Sequence, residues 1–147
     1  MIVVTGAAGF IASYLAEALN AAGHQDLILV DDFSVEAKKP NWTHLNFEQC
    51  IDREAFLPWF EENAFKISFV FHLGARTDTT EKSQEALDHL NLHYSQAIWR
   101  ICSAQRIPLV YASSAATYGL GEFGYKDEHS LSTQLQPLNL YGKSKND

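Results

Sequence analysis

One turn constrains this chain more than any other feature. Thr5-Gly6-Ala7-Ala8-Gly9-Phe10-Ile11-Ala12 follows an apolar run, Met1 to Thr5, and opens onto a helical pattern. A short β-branched run closed by glycine reads as a buried strand. Gly6 suits a tight turn. Gly9 leaves room for backbone to approach a phosphate, and Ala12 is small enough for close helix–sheet packing. The first helical turn offers free N–H groups and the positive end of a dipole. An acid about 20 residues on should accept from a ribose hydroxyl. Asp31 and Asp32 arrive at the end of the second apolar run. A plain βα turn with two solvated aspartates would explain each part but not their joint register.

The rest of the chain repeats the strand–helix alternation. Phe10, Ile11, Tyr14, Leu15, Ala18, Leu19 and Ala22 predict one apolar stripe on a helix that stops at Gly23. Leu27 to Val30 reads as the second strand, Ser34 to Asn41 as loop, and His44 to Ile51 as holding a short third strand. Asp52 reads as the N-cap of a helix over Arg53 to Asn63, with Pro58 predicting a kink or break. Ser68 to Leu73 is a fourth strand closed by Gly74. Glu85 to Gln105 is the longest helix, and Pro108 to Ser114 a fifth strand. Gly119 to Gln136 is a long loop, and a last helix begins near Pro137 or Leu138. Buried strands separated by helices imply an α/β, doubly wound Rossmann-type parallel sheet with helices on both faces. Ligands then sit beyond the carboxyl ends of the strands. A length of 147 residues fits one dinucleotide-binding domain, 1–147.

Charge narrows the partners. Eleven basic against eighteen acidic residues give a net charge of −7. Such a chain is a poor binder of nucleic acid or anionic membranes, which demand an excess of Lys and Arg. A small phosphorylated ligand held by backbone N–H groups needs no such excess. Cys50 and Cys102 form no zinc pattern. His89 and His93 have metal-ligand spacing but no third ligand in register, so no metal is expected. Trp42, Trp59 and Trp99 lie far apart and read as core or interface aromatics. No secretory leader opens the chain and no apolar run reaches the ~18 residues of a bilayer span, so a cytoplasmic setting is expected.

Chemistry enters at the end of the chain. Tyr141 and Lys145 are four residues apart, which on a helix places them on one face. An ammonium beside a phenol favours phenolate and makes the tyrosine a usable acid or base near neutrality. Ser114, at the end of the fifth strand, can donate to the same substrate oxygen. Such a trio takes a proton from an alcohol while a nicotinamide takes the hydride. A non-catalytic dinucleotide-binding module would have no need of the three together.

With these residues in view, the chain resembles the extended short-chain dehydrogenases/reductases, the NAD-dependent epimerases and dehydratases. The general marks are Gly6-Ala7-Ala8-Gly9-Phe10-Ile11, His72-Leu73-Gly74-Ala75, Asn91, and Tyr141 with Lys145. Narrower marks are Tyr111 to Gly119, Thr79-Thr80-Glu81 and Pro137-Leu138-Asn139. These resemble the nucleotide-sugar epimerases of the family that act on ADP-heptose. The resemblance implies that Tyr141, Lys145 and Ser114 are catalytic. It implies that Phe10 and Ile11 contact a pyrophosphate, and that Asp31, Asp32, Lys38 and Arg53 surround the adenine-ribose end. Leu73, Gly74, Ala75, Arg76 and Thr77 would line the ribose and nicotinamide side. The implied reaction oxidises C6″ of the heptose and returns the hydride to the other face. Other nucleotide-sugar 4-epimerases or dehydratases are the alternative. Two carboxylates suit the 2′-hydroxyl of NAD, whereas Lys38, Lys39 and Arg53 and the family favour NADP. The family's chains continue past this point, so residues 1–147 read as a truncated dinucleotide-binding domain without the C-terminal substrate lobe, expected to be inactive alone; a homo-oligomer is also expected.

Overall fold

Ile2, Val3, Val4 and Thr5 are all buried, and β-branched side chains suit a strand enclosed on both faces. In the computed structural model, which describes residues 1–147, this strand, β1 (Ile2–Thr5), is the middle of a five-stranded sheet. The others are β2 (Leu27–Asp31), β3 (Gln49–Asp52), β4 (Phe69–His72) and β5 (Leu109–Tyr111), in the spatial order β3-β2-β1-β4-β5. All four pairings are parallel, with Ile2 opposite both Leu27 and Phe69. The order reverses between β1 and β4. Their carboxyl ends, Thr5-Gly6 and His72-Gly74, therefore flank the switch point where such sheets bind ligands.

The helical elements are α1 (Phe10–Ala21), α2 (Lys39–Trp42), α3 (Arg53–Asn63), α4 (Gln84–Leu87), α5 (Tyr94–Gln105) and α6 (Leu140–Asn146). Ile2, Val4, Leu27 and Leu29 pack with Ala7, Ala12 and Ala16 on one face of the sheet. Val3, Ile28 and Val70 point the other way and are equally buried, as are Phe56 and Phe60 of α3, which lies against β2 and β3. The doubly wound expectation holds. No helix is long and apolar enough to cross a membrane.

The chain divides into two compact units. The first, Met1–Gly74 with Ala97–Ala112, holds the whole sheet. The second, Ala75–Gln96 with Ser113–Asp147, holds α4, α6 and the turns between them.

Several local expectations change. The buried face of α1 is Ala12, Ser13 and Ala16, while Phe10, Ile11 and Tyr14 are largely exposed. Close approach of a helix to a sheet selects small side chains, and that outweighs the larger apolar stripe. The 34–41 segment is not bare loop. It holds a 3-10 turn (Glu36–Lys38) and α2, whose first turn carries Pro40. Asp52 does cap α3, accepting from the Glu54 amide at 2.9 Å, and α3 runs unbroken through Pro58. Pro58 forfeits one bond to the carbonyl of Glu54, a residue exposed to solvent. The long helix is a continuous run from Gln84 to Gln105, but a π-helical turn (Asp88–His93) interrupts it. The last helix starts only at Leu140, because the Asn139 side chain caps it by accepting from Gly142 N at 2.7 Å.

Candidate active site

In the first unit the glycine-rich turn is held by partners distant in sequence. Gly6 has φ +73°, which an L side chain rarely adopts, and a Cβ there would lie 2.8 Å from the Gly74 backbone. Gly74 returns the constraint, since its Cβ would lie 2.8 Å from Gly6 N. These two glycines let the chain ends after β1 and β4 touch. Thr5 Oγ1 accepts from Gly74 N at 2.9 Å and lies 2.7 Å from His72 Nδ1. The buried imidazole of His72 is thus a buttress under the turn. Leu73 packs against the core cluster.

The turn's own amides are then assigned. Gly6 N and Ala7 N donate to Val30 O, Gly9 N donates to Gly6 O, and Ala8 N donates to Asp31 Oδ2 at 2.9 Å. The first bond of α1 runs from Ser13 N to Gly9 O. Phe10, Ile11 and Ala12 therefore have amides with no acceptor inside the helix. Gly9 brings no side-chain cap and the first turn carries no acid. Such an end fits an anion, as a pyrophosphate requires.

The acids after β2 divide their work. Asp31 is buried and turned inward. Besides Ala8 N, its carboxylate accepts from Asp32 N at 2.7 Å and from Lys38 Nζ at 3.2 Å. Asp32 faces outward, accepting from Ser34 N and Oγ, with Arg53 Nη2 at 3.7 Å. The Ser34 hydrogen bonds hold its carboxyl below the usual carboxylate range. Lys39 is drawn to Glu36 at 2.9 Å. Of the four residues assigned to the adenine-ribose end, Asp32, Lys38 and Arg53 remain accessible.

The second unit carries the residues expected to transfer protons. Tyr141 and Lys145 lie one turn apart on α6. Lys145 is buried, and desolvation pulls its ammonium down to about 8. Ser114 caps the 3-10 turn Ala115–Tyr118, its Oγ accepting from Ala116 N at 3.2 Å, which leaves its proton to donate elsewhere. Gly142 brings that turn close to α6, since a Cβ on it would lie 2.7 Å from Ala116 O. Asn91 is fully buried in the π-helical turn. Its Oδ1 accepts from Arg76 N at 2.8 Å, and its Nδ2 donates to Arg76 O at 3.0 Å and Ser144 Oγ at 2.9 Å. Ser144 in turn donates to Tyr141 O. Asn91 is thus a tie between the Ala75–Thr77 segment and α6, with its polar atoms already engaged. The Arg76 guanidinium pairs with Glu81 at 2.5 Å, and Thr77 is exposed.

Sequence reasoning missed the capping role of Asn139 and the parts played by Gly142, Ser144 and Asn41. An N-capping Asn just before the apolar start of α6 was readable in Asn139-Leu140-Tyr141-Gly142. The other three act through tertiary contacts and left no local signal.

Comparison with known proteins gives the family. The family model for the NAD dependent epimerase/dehydratase family matches residues 2–146. The chain is 41% identical to the ADP-L-glycero-D-manno-heptose-6-epimerase of Fusobacterium nucleatum, over 99% of this chain and 45% of that protein. It is 39% identical to the enzyme of the same name from Cupriavidus pinatubonensis, over 98% of this chain and 43% of that protein. Among solved structures it superposes on the Helicobacter pylori enzyme of that name with TM-score 0.74 at 26% identity, covering 98% of this chain and 46% of the other. A UDP-glucuronic acid 4-epimerase from Bacillus cereus, in complex with UDP-glucuronic acid and NAD, gives TM-score 0.75 at 26% identity over 98% and 48%. The chain spans less than half the length of these relatives. An uncapped helix end at the switch point and a helix bearing Tyr141 and Lys145 are thus joined to a match along nearly the whole sequence, and the chain belongs to the NAD dependent epimerase/dehydratase family.

Proposed function

We propose that these residues are the cofactor-binding and proton-transferring part of a nucleotide-sugar epimerase acting on ADP-heptose. The observation that carries the chemistry is α6, with Tyr141 one turn from a buried Lys145 and the Ser114 turn held close through Gly142. The substrate reading is supported by the narrower sequence marks and by relatives named for that activity.

The residues divide the work. The amides of Phe10 and Ile11 would hold the pyrophosphate of a nicotinamide dinucleotide. Lys38, Arg53 and Asp32 would face its adenine ribose. When bound, the nicotinamide supplies a reversible hydride acceptor, so oxidation and reduction of the sugar cancel. Tyr141 exchanges a proton with the substrate oxygen through its hydroxyl. The Lys145 ammonium favours the phenolate during that exchange. Ser114 donates a hydrogen bond to the same oxygen. NADP is favoured over NAD, because Asp31 is turned inward and paired with Lys38, which removes one of the two carboxylates expected to repel a 2′-phosphate.

Turnover of ADP-heptose, compared with UDP-hexoses, separates this reading from a 4-epimerase or dehydratase. Gly9→Val should abolish NADP binding by calorimetry. In the full-length protein Tyr141→Phe should cost about 10²–10⁴-fold in turnover while leaving binding intact. Unchanged turnover in that variant would take the proton transfer away from Tyr141; cofactor binding with no turnover in the full-length wild type would leave only a dinucleotide-binding module.

A further inference from the structure

We propose that Asn41 is a positioning residue for the anion-binding turn: its amide grips the Ala8 peptide and so aims the free N–H groups that follow. The inference rests on the dinucleotide reading above. Ala8 is buried, and its peptide groups are held on both polar sides. Its N–H donates to Asp31 Oδ2 at 2.9 Å, and its carbonyl accepts from Asn41 Nδ2 at 2.8 Å. Ala8 precedes the helix cap Gly9, so a rotation there redirects the amides of Phe10 and Ile11. Asn41 is itself fixed from outside the turn. It sits in α2 beside Trp42, whose ring meets Phe33 edge-on at 4.7 Å and lies 6.2 Å from Phe47. The preceding turn supplies Lys38, which reaches the other oxygen of Asp31 at 3.2 Å. One short segment, 36–42, therefore secures both sides of Ala8, directly through Asn41 and indirectly through Asp31.

A role confined to stabilising α2 would change thermal stability without discriminating among ligands. Aiming the amides would matter only for ligands that carry a pyrophosphate. The test titrates the protein calorimetrically with ADP, NADP and adenosine, and follows thermal unfolding, for wild type, Asn41→Ala, Asn41→Gln and Asn41→Asp. Removing the donor to a buried carbonyl should weaken ADP and NADP about 5- to 10-fold and leave adenosine unchanged. Asn41→Gln keeps an amide donor and should retain most of the affinity. Asn41→Asp sets a carboxylate against a carbonyl oxygen and should be weaker than Asn41→Gln. If Asn41→Ala does not fold, the contrast between Gln and Asp carries the test. Wild-type ADP affinity in Asn41→Ala, equal affinity in Asn41→Gln and Asn41→Asp, or an equal loss for adenosine and ADP would overturn the proposal. If Gly9→Val still abolishes ADP binding in those cases, the dinucleotide reading stands and only the role of Asn41 falls. If the wild type binds neither ADP nor NADP, both fall.

Discussion

Replacing Gly142 by alanine sets two effects of opposite sign against each other. Gly142 is the third residue of α6, where alanine should stabilise the helix by about 0.5–1 kcal/mol. The added methyl, however, would lie 2.7 Å from Ala116 O and 3.0 Å from Pro137 Cβ, whereas ordinary contact begins at 3.4 Å. The obstacle is backbone, so no rotamer change relieves it. Overpacking of this kind costs about 1–3 kcal/mol, so the clash should exceed the propensity gain. The remaining relief is a shift of α6 away from the Ser114 turn by a good part of the 0.7 Å deficit between 3.4 and 2.7 Å. Misplacements near 1 Å cost about 100-fold, so turnover in the full-length protein should fall roughly 10- to 100-fold. Steady-state kinetics and thermal unfolding should be measured together. A raised melting temperature with unchanged kcat would refute the reasoning, because it would mean that helix propensity decides and the close approach is unimportant.

Other expectations follow from the same geometry. Burial lowers the Lys145 ammonium to about 8 from an ordinary 10.5, so its charge is lost as pH rises through about 8. Turnover should decline above that pH in a kcat/KM profile, and a profile flat to pH 10 would contradict the electrostatic role. The unfolded chain holds that proton up to about 10.5, so this residue makes stability rise between pH 8 and 10.5. Asn139→Ala removes the cap of α6 and should cost about 1 kcal/mol in chemical denaturation, with a matching loss of turnover. Asn91→Ala takes the side-chain partner from Arg76 N and Arg76 O and one donor from Ser144 Oγ, which keeps only its bond to Tyr141 O. It should cost about 1–3 kcal/mol, and an unchanged denaturation midpoint would argue against the tie.

Much was determined by sequence alone, and the reason is locality. Strand and helix order, the Gly6 turn, the Asp52 cap and the Tyr141/Lys145 pair depend on residues within a few positions of one another. Backbone sterics and periodicity act over that range. The tertiary structure decided which face of α1 is buried, because only the neighbouring sheet makes Ala12 and Ala16 better inward residues than Phe10 and Ile11. It decided that Asp31 turns inward to Ala8, 23 residues away, and that Asn41 answers from 33 residues away. It set Gly6 against Gly74, and Asn91 against Ser144, 53 residues apart. Such partnerships are created by strand register and chain crossing. A buried polar group must find a partner, but which residue answers depends on what the fold brings within 3 Å.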